Sequence, residues 1–177
     1  QLVNTFKYTR EDADSLINNF RGVAEALRRP PDQLMRAFNS QAPVIARFGK
    51  AGIDVFYGMQ IEAKRLAIES GKLLTFSERV DTIEGAARVA QAFNAATGVP
   101  FLSAHALLAA SPEHKAKIIG DLYQKYLATG GTPITDPRVM RGLAQAAQMG
   151  VDEVQRILTM GQQNVESDKK KVEAVAT

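Results

Sequence analysis

The sequence lacks cysteine and tryptophan altogether, and phenylalanine and tyrosine bring its aromatic share to only 7% of 177 residues. The absence of cysteine excludes disulfides, thiolate zinc sites and cysteine nucleophiles, and it leaves the redox compartment open. Few aromatic residues favour an alanine-rich helical protein over a β-sandwich. No apolar run is long enough to cross a membrane and no signal peptide is recognisable, so we expect no membrane segment here.

Concentrated positive charge and phosphate-binding loops are also missing. The net charge is only +3, and the lysines and arginines are spread among acids, whereas nucleic-acid binders concentrate them. Neither G-x-x-x-x-G-K-[ST] nor G-x-G-x-x-G occurs, which excludes the common nucleotide loops. We therefore expect neither nucleic acid as a partner nor any cofactor.

What the sequence does contain is apolar residues at three- and four-residue steps, without strand-like alternation around a hairpin turn. This pattern predicts an all-α fold of several short amphipathic helices joined by Gly/Pro turns, either an irregular bundle or an extended string. We expect a helical region over 1–128, a loop or hinge at 129–136 (TGGTPITD), a short helical pair over 137–161 and a polar helical tail over 162–177. Because the chain begins at Gln1, we also expect a processed protein or a piece of a longer one.

The most distinctive stretch runs from Val80 to Leu108. Its apolar residues Ile83, Ala86, Ala87, Ala90 and Phe93 have the spacing of one buried helical face. Gly98 can end the helix with a positive φ, and Pro100 prevents its continuation. Alanines dominate the buried face, so another helix could approach closely.

Other helix boundaries follow from capping chemistry. Gly71 is expected to stop the helix before it, and Thr75 to Glu78 (TFSE) matches a capping box that would start a new one. Ser111 followed by Pro112 predicts a serine-capped helix, and Asp136 followed by Pro137 predicts another start of the same kind.

The stretch just described resembles a segment of the tail tape-measure proteins of large contractile-tailed bacteriophages. The resemblance covers roughly Asp81 to Leu158. Its matching residues are Asp81, Thr82, Glu84, Gly85, Ala86, Ala87, Asn94, Gly98, Leu102, Leu107, Leu108 and Pro112. A second run is similar to the start of a following helix in that family: Ala146, Ala147, Met149, Gly150, Val151, Asp152, Glu153 and Val154. Two positions depart from the family pattern: Val80 replaces an aromatic residue, and Val99 replaces the second of two glycines.

The resemblance implies a structural protein that makes and breaks no bonds. Such a chain lies in the tail tube or baseplate hub of the virion, is assembled in the host cytoplasm, and helps set tail length. Three or six copies would surround the tail axis and contact other tail or baseplate proteins.

Few residues have side chains suited to chemistry. The two histidines, His105 and His114, could be a general base or metal ligands, but their spacing matches no common metal site. Ser111, Glu113 and His114 are close in sequence, yet the members of a catalytic triad usually come from separate elements, so we favour helix capping. We predict no catalytic, cofactor-binding or metal-binding residue.

Two charged groups have similar alternatives. Glu78, Asp81 and Glu84 would share a face if their helix were continuous, as a glycosidase pair must, but a solvated or capping face is the favoured interpretation. The run Lys169 to Lys171 could contact phosphates weakly, although a solvated face is typical of such runs.

The main alternative function is a small all-α DNA-binding or regulatory module. Residues 138–158 have the length of a helix-turn-helix motif, with a turn at Gly150. Its second helix offers only Gln155 and Arg156 to read bases or phosphates.

Overall fold

The computed structural model describes residues 10–159 and 166–176 of the chain. Within them the fold is all-α, as predicted, and no strand is present. The α-helices are α1 (Arg10–Ala26), α2 (Pro31–Ile45), α3 (Gly52–Leu66), α4 (Ser70–Val80), α5 (Ile83–Thr97), α6 (Ala104–Ala109), α7 (Lys115–Ala128), α8 (Pro137–Ala147), α9 (Val151–Thr159) and α10 (Glu166–Ala176). Two short 3₁₀ segments, Ala46–Ala51 and Pro112–His114, lie between them.

The helices form two compact units. The first comprises residues 1–64 with 164–177, and the second comprises residues 65–163. The sequence led us to expect a division at 129–136; that segment is a loop, and it lies inside the second unit. The expected helical pair over 137–161 corresponds to α8 and α9 up to residue 159. Residues 1–9 of the expected helical region, 160–161 of the pair, and 162–165 and 177 of the tail lie outside the described residues.

Aromatic rings form the core of the first unit. Phe20 of α1 lies 5.1 Å from Phe38 of α2 and 5.8 Å from Phe56 of α3, measured between ring centroids. Phe38 and Phe56 meet edge to face at 5.2 Å, and Tyr57 completes the group. Such geometries add to the stabilisation from burial, so these rings hold α1, α2 and α3 together.

The tail helix α10 packs along α1 within this unit. Gly22 allows this close packing. A Cβ at Gly22 would lie 2.4 Å from a γ-carbon of Val175, which is closer than two non-bonded carbon atoms can approach. Val172 is also buried. Polar residues dominate α10, so the sequence suggested a solvated helix. The local sequence of α10 gives no information about its packing against Gly22, which is distant in the chain.

The second unit is built around α5. Ala86, Ala90 and Phe93 are buried, as the spacing predicted. The predicted Ala87 is half-buried, and Val89, which was not assigned to that face, is buried. In contrast, Ile83 was assigned to that face and is 78% exposed, because it lies in the first turn at the edge of the packed surface. Helix α5 packs against α4, α6 and α8, while α9 packs against α7 and α8.

Two predicted boundaries in this unit are wrong. Helix α4 runs unbroken through the expected capping box, and the Thr75 hydroxyl donates instead to the carbonyl of Gly71 one turn earlier. Gly71 lies inside α4 rather than ending a helix. The break comes earlier, at Ala67, where φ is +51°. Burial of Leu73, Leu74 and Phe76 on α4 overrides the local capping preference.

Candidate functional site

The candidate site is the segment from the end of α4 to the start of α7, together with the loop that follows α7. Its first junction joins α4 to α5. The Thr82 hydroxyl accepts a hydrogen bond from the Gly85 N–H and donates to the carbonyl of Arg79, both at 3.0 Å. A Cβ on Gly85 would lie 2.0 Å from that carbonyl oxygen, so only glycine allows α4 to end this close to α5.

The second junction is the turn after α5. Gly98 adopts the left-handed conformation with φ of +73°, and its N–H donates to the Asn94 carbonyl, as a helix-ending glycine should. The Asn94 side chain donates to the Leu102 carbonyl at 2.7 Å and accepts from the Leu102 N–H at 2.9 Å. One amide thus satisfies both backbone groups of a buried residue and fastens the turn to α5.

A buried lysine makes the third connection. Lys115 begins α7 and is 1% exposed. Its ammonium donates to the carbonyl of Leu107 at 2.6 Å, reaches that of Leu108 at 3.5 Å, and lies 3.3 Å from the Asp81 carboxylate. The carbonyls at the end of α6 lack helical partners, so the lysine satisfies them and ties α6 to α7.

These junctions leave an open groove with a volume of about 520 Å³. The turn, α7 and the following loop line it with Val99, Pro100, Phe101, Leu122, Lys125, Tyr126, Thr129, Gly130 and Gly131. The rings of Phe101 and Tyr126 are 6.0 Å apart, and Tyr123 lies 5.8 Å from Tyr126. The groove can receive an apolar side chain, and Lys125 supplies the one charged group among its lining residues.

Tyrosine hydroxyls hold the loop at 129–136 against α7. Tyr126 donates to the Thr132 carbonyl, and Tyr123 accepts from the Ile134 N–H, both at 2.9 Å. Gly131 lies over the Tyr126 ring, where a Cβ would come within 2.4 Å of a ring carbon. The loop is thus fastened at two points within its unit.

An ion pair connects α4 to α9. The Lys72 ammonium lies 2.6 Å from the Glu153 carboxylate, which also accepts from the Gly150 N–H at 2.8 Å. Burial opposes ionisation of Glu153, but the hydrogen bonds from Lys72 and Gly150 outweigh it and lower the pKa of the carboxyl group. The hydrogen bond to Glu153 raises the pKa of Lys72.

Two of the residues considered for catalysis, Ser111 and His114, contact each other. Ser111 occupies the N-cap position before Pro112, as predicted, but its hydroxyl makes no cap hydrogen bond and lies 2.8 Å from Nδ1 of His114. Both residues are exposed on one 3₁₀ turn, and Glu113 Oε2 is buried without a hydrogen-bond partner in the described part of the chain. His105 is exposed on α6.

Glu78, Asp81 and Glu84, from which a pair of glycosidase carboxylates would be drawn, lie on α4, on the junction after it and on α5, respectively. Asp81 ends α4 and contacts Lys115, while Glu84 on α5 pairs with Arg88 at 2.8 Å. Among the described residues, 10–159 and 166–176, no group of three or more His, Cys, Asp or Glu side chains could hold a metal ion.

The helix-turn-helix candidate corresponds to α8 and α9, joined by a turn in which Gln148 has a φ of +52°. Arg156 on α9 lies 3.0 Å from Asp152, one helical turn earlier on the same helix. The exposed arginines of this pair of helices, Arg138 and Arg141, lie on α8 instead.

Sequence reasoning listed Asn94 only as part of a resemblance and did not consider Lys115. For Asn94, its position four residues before the helix-ending Gly98 is a pattern from which its role in the turn could have been predicted. Nothing local distinguishes Lys115 from a surface lysine.

The chain matches no protein-family model, no curated protein and no solved structure. None of the helices described is long and apolar enough to span a membrane.

Proposed function

We propose that the chain is a structural, non-enzymatic protein, a segment of a tail tape-measure protein of a contractile-tailed bacteriophage. One observation carries the proposal: four of the residues that bear the resemblance join the helices. Thr82 caps α5, Gly85 allows the close approach to α4, and Asn94 and Gly98 build the turn. A protein that acts through helix packing depends on the residues that form its helix junctions.

In this role the segment lies in the tail tube or baseplate hub of the virion and contributes to tail length during assembly in the host cytoplasm. Three or six copies surround the tail axis and contact other tail or baseplate proteins. Such a role needs a rigid helical element, and the junctions around α5 and α6 supply one by satisfying backbone groups that would otherwise be buried without partners.

The test is to locate the chain in tails purified from the phage that encodes it. An antiserum raised against residues 65–163 should detect the protein in intact tails and label the tube or its tip in electron micrographs. Purified capsids are the matched control. Tails of normal length that lack the protein would contradict the proposal.

The copy number has its own measurement. Native mass spectrometry of the chain should give a trimer or hexamer. A monomer at every concentration tested would count against self-assembly by this segment.

The alternative is a DNA-binding module that uses α8 and α9, favoured by the exposed Arg138 and Arg141. A salt titration of affinity for duplex DNA separates the two functions. Binding that falls steeply as salt rises would support the module, because each phosphate contact releases counterions. The tape-measure proposal expects no such binding.

A further inference from the structure

The exposed face of α8 combines two arginines with a mid-helix glycine. Arg138, Arg141, Gly142 and Gln145 follow the three- and four-residue spacing that places side chains on one side of a helix, and all four are exposed. No ion pair to either arginine occurs among the residues that the structure describes. The Asp136 carboxylate nearby accepts from the Arg138 backbone N–H at 2.8 Å and caps the helix.

Each of these residue choices weakens the isolated helix. Arg138 lies in the first turn, where the partial positive charge of the helix end disfavours a cation. Gly142 costs about 1 kcal/mol relative to alanine in a helix interior. A Cβ at Gly142 would meet nothing within 4 Å, so no contact inside the chain requires glycine there. Locally unfavourable choices that cluster on one exposed face are typical of a functional surface.

We propose that this face is a docking surface for an acidic helix of a partner protein. Two carboxylates one helical turn apart on the partner would pair with Arg138 and Arg141. The missing side chain at Gly142 lets the partner's backbone approach, since the distance between packed helices depends on the side chains at their contact.

The same observations disfavour nucleic acid on this face. A duplex binder neutralises many phosphates, whereas this surface offers two cations. The missing side chain at Gly142 allows another helix to approach closely, but it provides no group that could bind a phosphate.

The experiment uses the full chain and a fluorescent 18-residue alanine-rich helical peptide with pairs of glutamates four residues apart. The same peptide with glutamine at every glutamate is its control, and a 16-base-pair duplex represents nucleic acid. Fluorescence anisotropy at low salt should show binding of the glutamate peptide alone. The double variant Arg138→Gln/Arg141→Gln should weaken it about tenfold or more, which corresponds to about 1.4 kcal/mol.

Gly142→Leu keeps both charges and favours the helix, so it should fold normally and still weaken binding several-fold by filling the space left by the missing side chain. Arg88→Gln on α5 removes an exposed arginine elsewhere and should leave the affinity unchanged. No binding of the glutamate peptide up to about 1 mM, affinity that neither α8 change alters, or tighter binding of the duplex would overturn the inference. The inference rests on α8 alone, so any of these results would leave the assignment to phage tails to its own test.

Discussion

The two units use aromatic residues in different ways. In the first unit, Phe20, Phe38 and Phe56 are buried against one another and form the core. In the second, Phe101 and Tyr126 are half-buried beside an open groove, and the tyrosine hydroxyl fastens a loop. The second unit also buries three rings, Phe76, Phe93 and Tyr123, and it adds polar side chains that bind backbone groups at its helix junctions. The comparison shows that ring contacts join the helices of the first unit, whereas the second unit also uses side-chain hydrogen bonds to backbone groups at its helix junctions.

The largest effect should come from the aromatic core. Phe56→Ala removes a fully buried ring and should lower the free energy of unfolding of the first unit by about 3–5 kcal/mol. Hydrogen exchange can follow each unit separately, and exchange in α5 should change little. Phe48→Ala, at a side chain that is 38% exposed, is the control. Equal destabilisation of both units would break the distinction between them.

Gly85→Ala should be the most harmful small change in the second unit. The added methyl group would overlap the Arg79 carbonyl oxygen, so α4 and α5 must move apart at a cost of about 1–3 kcal/mol. Urea unfolding followed by circular dichroism measures the loss. A stability equal to that of the unsubstituted chain would show that the junction is not tightly packed.

Lys115→Met retains the bulk of the side chain and removes the ammonium. Two carbonyls at the end of α6 lose their donor, and we expect a loss of about 2 kcal/mol in unfolding free energy. Asp81→Asn alters the exposed partner of the same lysine and should cost less than about 1 kcal/mol. If the two changes cost the same, the ion pair rather than the carbonyl contacts holds this junction.

Gly142→Ala should have the opposite sign. Nothing lies within 4 Å of the new methyl group, so the helix should gain about 0.5–1 kcal/mol from the better propensity of alanine. A rise in thermal midpoint checks it, with Gly85→Ala as the matched glycine change. A fall would mean that glycine serves the fold itself rather than a partner.

The smallest effect is the pH dependence from Glu153. Its pKa is lowered in the folded chain, so its contribution to stability is present above the unfolded value of about 4.3 and is lost as pH falls through the lowered pKa. Glu153→Gln should therefore flatten the acid side of a plot of thermal midpoint against pH. A variant with the same acid dependence as the original chain would contradict this.

Much of the helical fold could be predicted because its signals are local. Gly98 ended α5 as expected, and Asp136 with Pro137 began α8. The errors arose where long-range packing decides: the Thr75 to Glu78 pattern lies inside a buried helix. The site was less predictable still. The hydrogen bonds of Asn94 and Lys115 span eight residues, and periodicity carries no information about such pairs.

The order of the chain through its two units has a consequence for synthesis. The second unit, residues 65–163, is continuous, whereas the first is completed by α10, which follows it in the sequence. During translation the second unit can therefore fold while the surface of α1 around Gly22 still lacks its covering helix. Until α10 emerges from the ribosome, that apolar strip is open to chaperones or to neighbouring nascent chains.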